Sequence, residues 1–260
     1  LTLKCPNPGC RLLAAAAMLL LAGLAQAETI EMAYPEDPAI DQGPGHFAFD
    51  FLRAAEMVVD DSGLSVRWVA LPNQRSVHRL IQGDANFCIG GAGILPDRHA
   101  LGKFSAPFIE DRMIGVMALK SHRADFDRAH SLADLIDRAQ GDFLTYTGFN
   151  YGGQVMPQLE PLRQQGRLSE VPHNTGQMLD MLKAGRADFA LVSETYGTNY
   201  LAARGETGEF IVRSYPDMHR DFPLGFLCSK SVPDAVITRL DQAVQREAVA
   251  IQARFPDHVK

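Results

Sequence analysis

The sequence predicts an α/β fold. Between residues 29 and 93, short apolar runs alternate with stretches of helical period. The same alternation restarts near residue 113, and glycines stand where helices should close, at Gly83 and Gly185. Strands alternating with helices in this order imply parallel pairing through right-handed crossovers.

Thr29 to Ala33 reads as the first strand. Phe47, Phe51, Ala54, Ala55 and Val58 recur at helical spacing, so an amphipathic helix is expected over His46 to Asp60. Ser65 to Leu71 is a second strand. Val77, Leu80 and Ile81 mark a helix that Gly83 closes, and Asn86 to Gly90 is a third strand. The second unit begins with a strand at Met113 to Leu119. Ser131-Leu132-Ala133-Asp134 has the form of a capped helix start. Phe143 to Tyr146 is a strand, followed by a glycine-rich turn and a helical stretch holding Pro157 and Pro161. Leu168 to Val171 is a further strand. Asn174 or Thr175 caps a helix with Met178, Met181 and Leu182 inside. Phe189 to Val192, Phe210 to Val212 and Leu224 to Cys228 are strands, and Pro233 to Ala253 is a closing helix with proline at its start.

Composition narrows the class. The formal net charge is −6 and no basic cluster occurs, which argues against a nucleic-acid partner. Lys4 and Arg11 precede an apolar run from Leu12 to Leu24, and Ala25-Gln26-Ala27 follows with the small-x-small pattern of a cleavage site. Residues 1–27 are therefore expected to be a signal peptide, removed to leave a chain from Glu28. The run is short for a bilayer span. Cys88 and Cys228 remain after that cleavage, and an even count in an oxidising compartment permits a disulfide. The eight histidines show no metal-ligand spacing, no nucleophile elbow surrounds Ser105 or Ser193, and no cofactor is expected.

Residues 71–120 carry the most specific pattern. Gly90-Gly91-Ala92-Gly93 ends an apolar strand, Pro96-Asp97-Arg98 follows, and Phe104-Ser105-Ala106-Pro107-Phe108 leads into the next strand. This segment resembles the family 3 extracellular solute-binding proteins, and Met178 to Val192 (MLDMLKAGRADFALV) is similar to the same family's L-x-x-G-R-x-D pattern. The resemblance implies a two-lobe type II periplasmic-binding fold, each lobe a mainly parallel sheet flanked by helices and the two joined by two crossovers. Lobe one would comprise residues 28–110 and 222–260, and lobe two residues 111–221. The returning strand of this fold lies beside the third strand, which implies a Cys88–Cys228 disulfide.

Ligands of open α/β sheets sit beyond the carboxyl ends of strands, and the resemblance implies which residues stand there. Arg98 would hold a ligand carboxylate through its planar fork. Gly91 and Gly93 stand where amino-acid receptors usually have hydroxyls, leaving backbone N–H groups and room for a bulkier ligand. Asn150 matches a carboxylate-touching position near an expected helix start, and Phe149 or Tyr151 offers a ring for stacking or for lobe packing. Ser193 replaces the aspartate that usually meets the ligand's ammonium group. Glu194 either substitutes for that aspartate or is a glutamate at a helix start opposite the dipole. Glu36 and Asp37 follow the first strand and either reach the cleft or are solvated.

The resemblance implies a monomeric periplasmic receptor for a small polar, carboxylated, amino-acid-like solute, docking on the membrane permease of an ABC-type importer. Two other readings use the same scaffold. One is a dehydratase-like enzyme with Glu194 as general acid, and the other is an accessory or sensor protein that does not transport.

Overall fold

The computed structural model describes residues 29–36, 43–47, 49–149, 151–172 and 174–256. The expected signal peptide lies outside them, as do Asp37 and Asn150. The chain forms two α/β lobes whose sheets are continuous through two long strands. In the first lobe β1 (Ile30–Pro35) pairs in parallel with β2 (Val66–Leu71) on one side and β3 (Phe87–Gly93) on the other. α1 (Asp50–Ser62) and α2 (Asn73–Gln82) are the crossovers between them. The first 3-10 turn, Pro96–Ala100, and the short β4 (Lys103–Phe104) lead to β5 (Ile109–Leu119).

In the second lobe α3 (Arg123–Arg128) and α4 (Leu132–Ala139) precede β6 (Phe143–Tyr146), and α5 (Met156–Gln164) leads to β7 (Leu168–Val171). α6 (Thr175–Lys183), β8 (Phe189–Ser193), α7 (Glu194–Arg204) and β9 (Phe210–Arg213) complete it. The chain returns along β10 (His219–Cys228) and ends in α8 (Asp234–Arg254), which packs on α1. The main strand order is β2-β1-β3-β10-β5-β8-β6-β7, with β4 beside β10 and β9 beside β5.

β5 and β10 join the lobes. They run antiparallel to each other, Asp111 facing Phe222 and Ile109 facing Leu224. One end of β10 continues onto β3 and the far end of β5 continues onto β8. This pairing explains why both strands start earlier than their hydrophobic pattern predicts: Ile109 to Arg112 and His219 to Pro223 are held by each other. The Phe104-Ser105-Ala106-Pro107-Phe108 string anchors the entry to this crossover. Ser105 N–H donates to the Phe226 carbonyl, its hydroxyl accepts from Phe226 N–H, and Phe108 N–H donates to the Leu224 carbonyl. The Cys88–Cys228 disulfide is formed, and the two residues face each other across β3 and β10, both fully buried.

Local signals act as their chemistry dictates. The Ser131 hydroxyl accepts from Asp134 N–H, and the Asn174 side chain, not that of Thr175, accepts from Gln177 N–H. Thr175 is buried and its hydroxyl bonds that of Tyr146. Two details depart from the periodicity. The first helix begins at Asp50 rather than His46, because Phe49 is extended (φ −98°, ψ 132°) and Phe47 packs its ring against Tyr34 and Trp68 instead. On α2 the buried face holds Ser76 and Leu80 while Ile81 is exposed, so the helix is turned from the expected phase.

At the far side of lobe two, Lys183 from the end of α6 and Arg204 from the end of α7 converge on Glu206, at 3.2 Å and 2.9 Å. Burial raises the Glu206 carboxyl, but the hydrogen bonds and charges of Arg204 and Lys183 outweigh it, and its pKa is lowered from the ordinary 4.5. A carboxyl depressed in the folded state adds stability that is present above the unfolded pKa and lost as pH falls through the folded one. Glu206→Gln should therefore flatten the loss of stability below about pH 4.5, which urea titrations at stepped acid pH would read. An unchanged acid slope would remove this cluster from acid sensitivity.

Candidate functional site

A cavity of about 180 Å3 lies between the lobes. It is smaller than the roughly 300–1,000 Å3 of drug-sized sites, so it suits a small solute. Its walls come from the carboxyl ends of strands and the helices that follow them, as the open-sheet rule requires. Tyr34 and Pro35 end β1, Leu71 ends β2, Gly90 to Gly93 end β3, Tyr146 ends β6 and Ser193 ends β8.

The charged groups come from different segments. Arg98 reaches the cavity from the 3-10 turn Pro96–Ala100, in which Arg98 N–H donates to the Leu95 carbonyl and Leu101 N–H to the Arg98 carbonyl. Pro96 opens that turn with its fixed φ and no N–H to satisfy. Asp111 reaches it from the crossover strand β5, and Asp50 from the first turn of α1. Ser193 caps α7, accepting from Tyr196 N–H at 3.4 Å, and donates its hydroxyl to Asp111 at 2.9 Å. Where the resemblance leads one to expect a carboxylate at the end of β8, the Asp111 carboxylate of the neighbouring strand β5 accepts the Ser193 hydroxyl.

Aromatic rings fill much of the remaining wall. Phe49 of lobe one stacks on Tyr196 of lobe two, with centroids 4.3 Å apart and planes at 10°. Phe51 also stacks on Phe49 at 5.8 Å, and Tyr200 on Tyr196 at 6.1 Å. This ladder puts rings of the two lobes in contact. Such offset stacks contribute about 0.5–1.5 kcal/mol per pair beyond burial.

The expected site residues divide into three groups. Arg98, Gly91, Gly93 and Ser193 line the cavity, and so does Phe149. Tyr151, Glu194 and Glu36 do not. Tyr151 is buried in lobe two with its hydroxyl between Tyr146 N–H and the Leu191 carbonyl, at 2.7 Å and 3.2 Å. The backbone of Glu194 turns toward Gly115 on β5, where it starts α7, and the residues that face the cavity from this helix are Thr195, Tyr196 and Asn199. Glu36 is exposed beyond the end of β1. Asn150 lies outside the described residues. The helical stretch holding Pro157 and Pro161 is α5 from Met156, and none of its residues lines the cavity.

The two glycines serve a purpose that the sequence did not disclose. A side chain on Gly91 would run into the Phe51 ring, and one on Gly93 into the Phe222 ring. Gly91 also sits at φ 73°, which favours glycine. Space that was expected to enlarge the ligand site is therefore occupied by aromatic side chains from α1 and β10. Gly93→Ser, which installs a hydroxyl, should cost about 1–3 kcal/mol of stability by overpacking and should not improve binding of α-amino acids. Urea denaturation and calorimetry measure the two effects, and a variant as stable as wild type would contradict this packing.

Asp111, Asp50, Tyr34, Thr195, Asn199 and Phe222 were missed by sequence reasoning. The strand-end rule was a signal for Tyr34 and for Thr195 beside Ser193. Nothing local marks Asp111 or Phe222, which reach the cavity through the β5–β10 pairing. Among the described residues no group of three or more His, Cys, Asp or Glu is arranged to hold a metal ion.

No protein-family model matches the chain, and no curated protein matches it. Solved structures do. An ancestral arginine-binding protein bound to arginine superposes with a TM-score of 0.65 at 15% identity, over 87% of this chain and 97% of that one. A histidine-bound substrate-binding protein of an ABC uptake transporter from Streptococcus pneumoniae gives 0.63 at 15% identity, over 87% and 92%. A histidine kinase sensor domain with similarity to periplasmic binding proteins gives 0.64 at 17% identity, over 90% and 98%. The fold is therefore the two-lobe periplasmic-binding type, shared at identities that speak for architecture alone.

Proposed function

We propose that this chain is a solute-binding receptor that closes its two lobes around one small carboxylated solute. One observation carries the reading. The interlobe cavity takes its guanidinium, Arg98, from a turn of lobe one and a carboxylate, Asp111, from the crossover, where the Ser193 hydroxyl of lobe two bonds it. A ligand that engages these groups together favours the closed form over the open one, which is all that closure requires. Residues 28–110 with 222–260 form one moving body and 111–221 the other, and β5 and β10 carry the hinge.

The rest of the reading follows from this. The receptor works in the periplasm after removal of residues 1–27, acts as a monomer, and presents its closed form to the permease of an ABC-type importer. The amino-acid receptors that share the fold support such a role, with their own ligands being arginine and histidine. The sensor-domain likeness favours a second reading, in which the same closure reports the solute to a signalling partner. Uptake of labelled solute by cells lacking this chain separates the two: transport fails on deletion, sensing leaves uptake intact.

Native mass spectrometry of protein purified without denaturation tests the binding claim. One small molecule per chain, released on unfolding and rebound on titration, is the expected result. Protein that carries nothing and binds nothing from a periplasmic extract would end the reading. Chemical conversion of the solute would replace the receptor with an enzyme.

A further inference from the structure

We infer that the solute is a carboxylate-bearing cation whose positive group is alkylated, a quaternary-ammonium carboxylate, rather than a primary α-amino acid. This inference rests on the receptor reading above and names the ligand class of the same cavity.

Three observations lead to it. The first is charge. Arg98 and Asp111 set one positive and one negative group on the cavity wall, Asp50 being held by Arg53 at 3.3 Å, so the wall suits a ligand that carries a positive charge beside its carboxylate. The second is the fate of the hydroxyls. A primary ammonium brings three N–H donors, and each needs an acceptor once water is excluded. Gly91 and Gly93 offer no side chain, and the room above them holds the Phe51 and Phe222 rings. The Tyr146 hydroxyl is turned inward onto Thr175 at 2.7 Å, and the Ser193 hydroxyl is given to Asp111. Around the end of β3 the lining is ring carbon, and other side-chain oxygens on the wall, those of Asn73, Ser76, Thr195 and Asn199, come from α2 and α7.

The third observation is the rings themselves. Tyr34, Phe49, Phe51, Phe149, Tyr196 and Phe222 all line the cavity. An aromatic face attracts a cation through its quadrupole and asks for no hydrogen bond, and a desolvated site strengthens that attraction. An alkylated ammonium has no N–H to leave unsatisfied and has methyl groups to bury against the rings. Asp111, steadied by Ser193, supplies the balancing charge, while Arg98 takes the carboxylate through its fork. The ligand therefore spans the gap between the first lobe's turn and the aromatic ladder of Phe49 and Tyr196.

The test is a methylation series on wild-type protein: calorimetric titration with glycine, N-methylglycine, N,N-dimethylglycine and N,N,N-trimethylglycine. Affinity is expected to rise with each methyl group, the trimethylated member binding at least about tenfold more tightly than glycine. Tyr196→Leu keeps apolar bulk but removes the ring, and should shrink the ratio between trimethylglycine and glycine, a ratio that a general loss of folding would leave alone. Asp111→Asn should weaken the trimethylated member as well. Affinity that is flat or falls with methylation overturns the inference. So does a series in which no member binds while native mass spectrometry finds another solute in the protein, an outcome that leaves the receptor reading standing. Binding by no member, together with no retained solute, removes both.

Discussion

Arg98→Ala is expected to weaken solute binding by roughly 30- to several-thousand-fold, about 2–5 kcal/mol, the usual cost of truncating one partner of a buried charge pair. Stability without ligand should fall far less, because Arg98 is only partly buried and stands on a short turn beyond the end of β3 rather than in either core. Arg98→Lys keeps the charge but loses the planar two-pronged donor set, so it should restore little. Calorimetry with the solute released from wild-type protein measures the loss, and thermal melting of the ligand-free variants measures the control. Affinity unchanged in Arg98→Ala would take this residue out of the site.

The second large effect concerns stability. Cys88 and Cys228 are 140 residues apart in sequence, and their bond closes a loop that contains the whole of the second lobe and both crossovers. Constraining so long a loop in the unfolded chain contributes about 2–5 kcal/mol. The double variant Cys88→Ala, Cys228→Ala should melt roughly 5–15 °C lower than wild type, given the few degrees per kcal/mol typical of chains this size. Both cysteines are fully buried, so reductant should act on folded protein only slowly. Finding two alkylatable thiols per chain in unreduced, denatured protein would contradict the bridge.

Much of the architecture could be read from the sequence, because local chemistry dictates it. The parallel β1, β2 and β3 unit follows from alternation and from Gly83, which ends its helix in the left-handed region at φ 72°. The caps at Ser131 and Asn174 are short-range bonds that need only their own neighbours. Arg98 reached the cavity because Pro96 fixes a turn directly after a strand end. The features that stayed hidden depend on segments far apart in the chain. Phe222 over Gly93 and Asp111 beside Ser193 arise from the β5–β10 crossover and its pairing with β3 and β8. Glu194 and Thr195 are adjacent in sequence, yet only one faces the cavity, since the first turn of α7 rotates them about 100° apart. Tyr151 was a candidate for ring stacking, but two backbone groups of lobe two satisfy its hydroxyl and keep it in the core.

The central claim is that the lobes close on a solute held at Arg98 and Asp111. Small-angle X-ray scattering tests it most directly, on wild-type protein stripped of ligand and then titrated with the solute it released. A smaller radius of gyration is expected on addition of one equivalent, and no change in Arg98→Ala at the same concentration. Identical scattering with and without the solute, in protein that binds it stoichiometrically, would contradict closure as the basis of function.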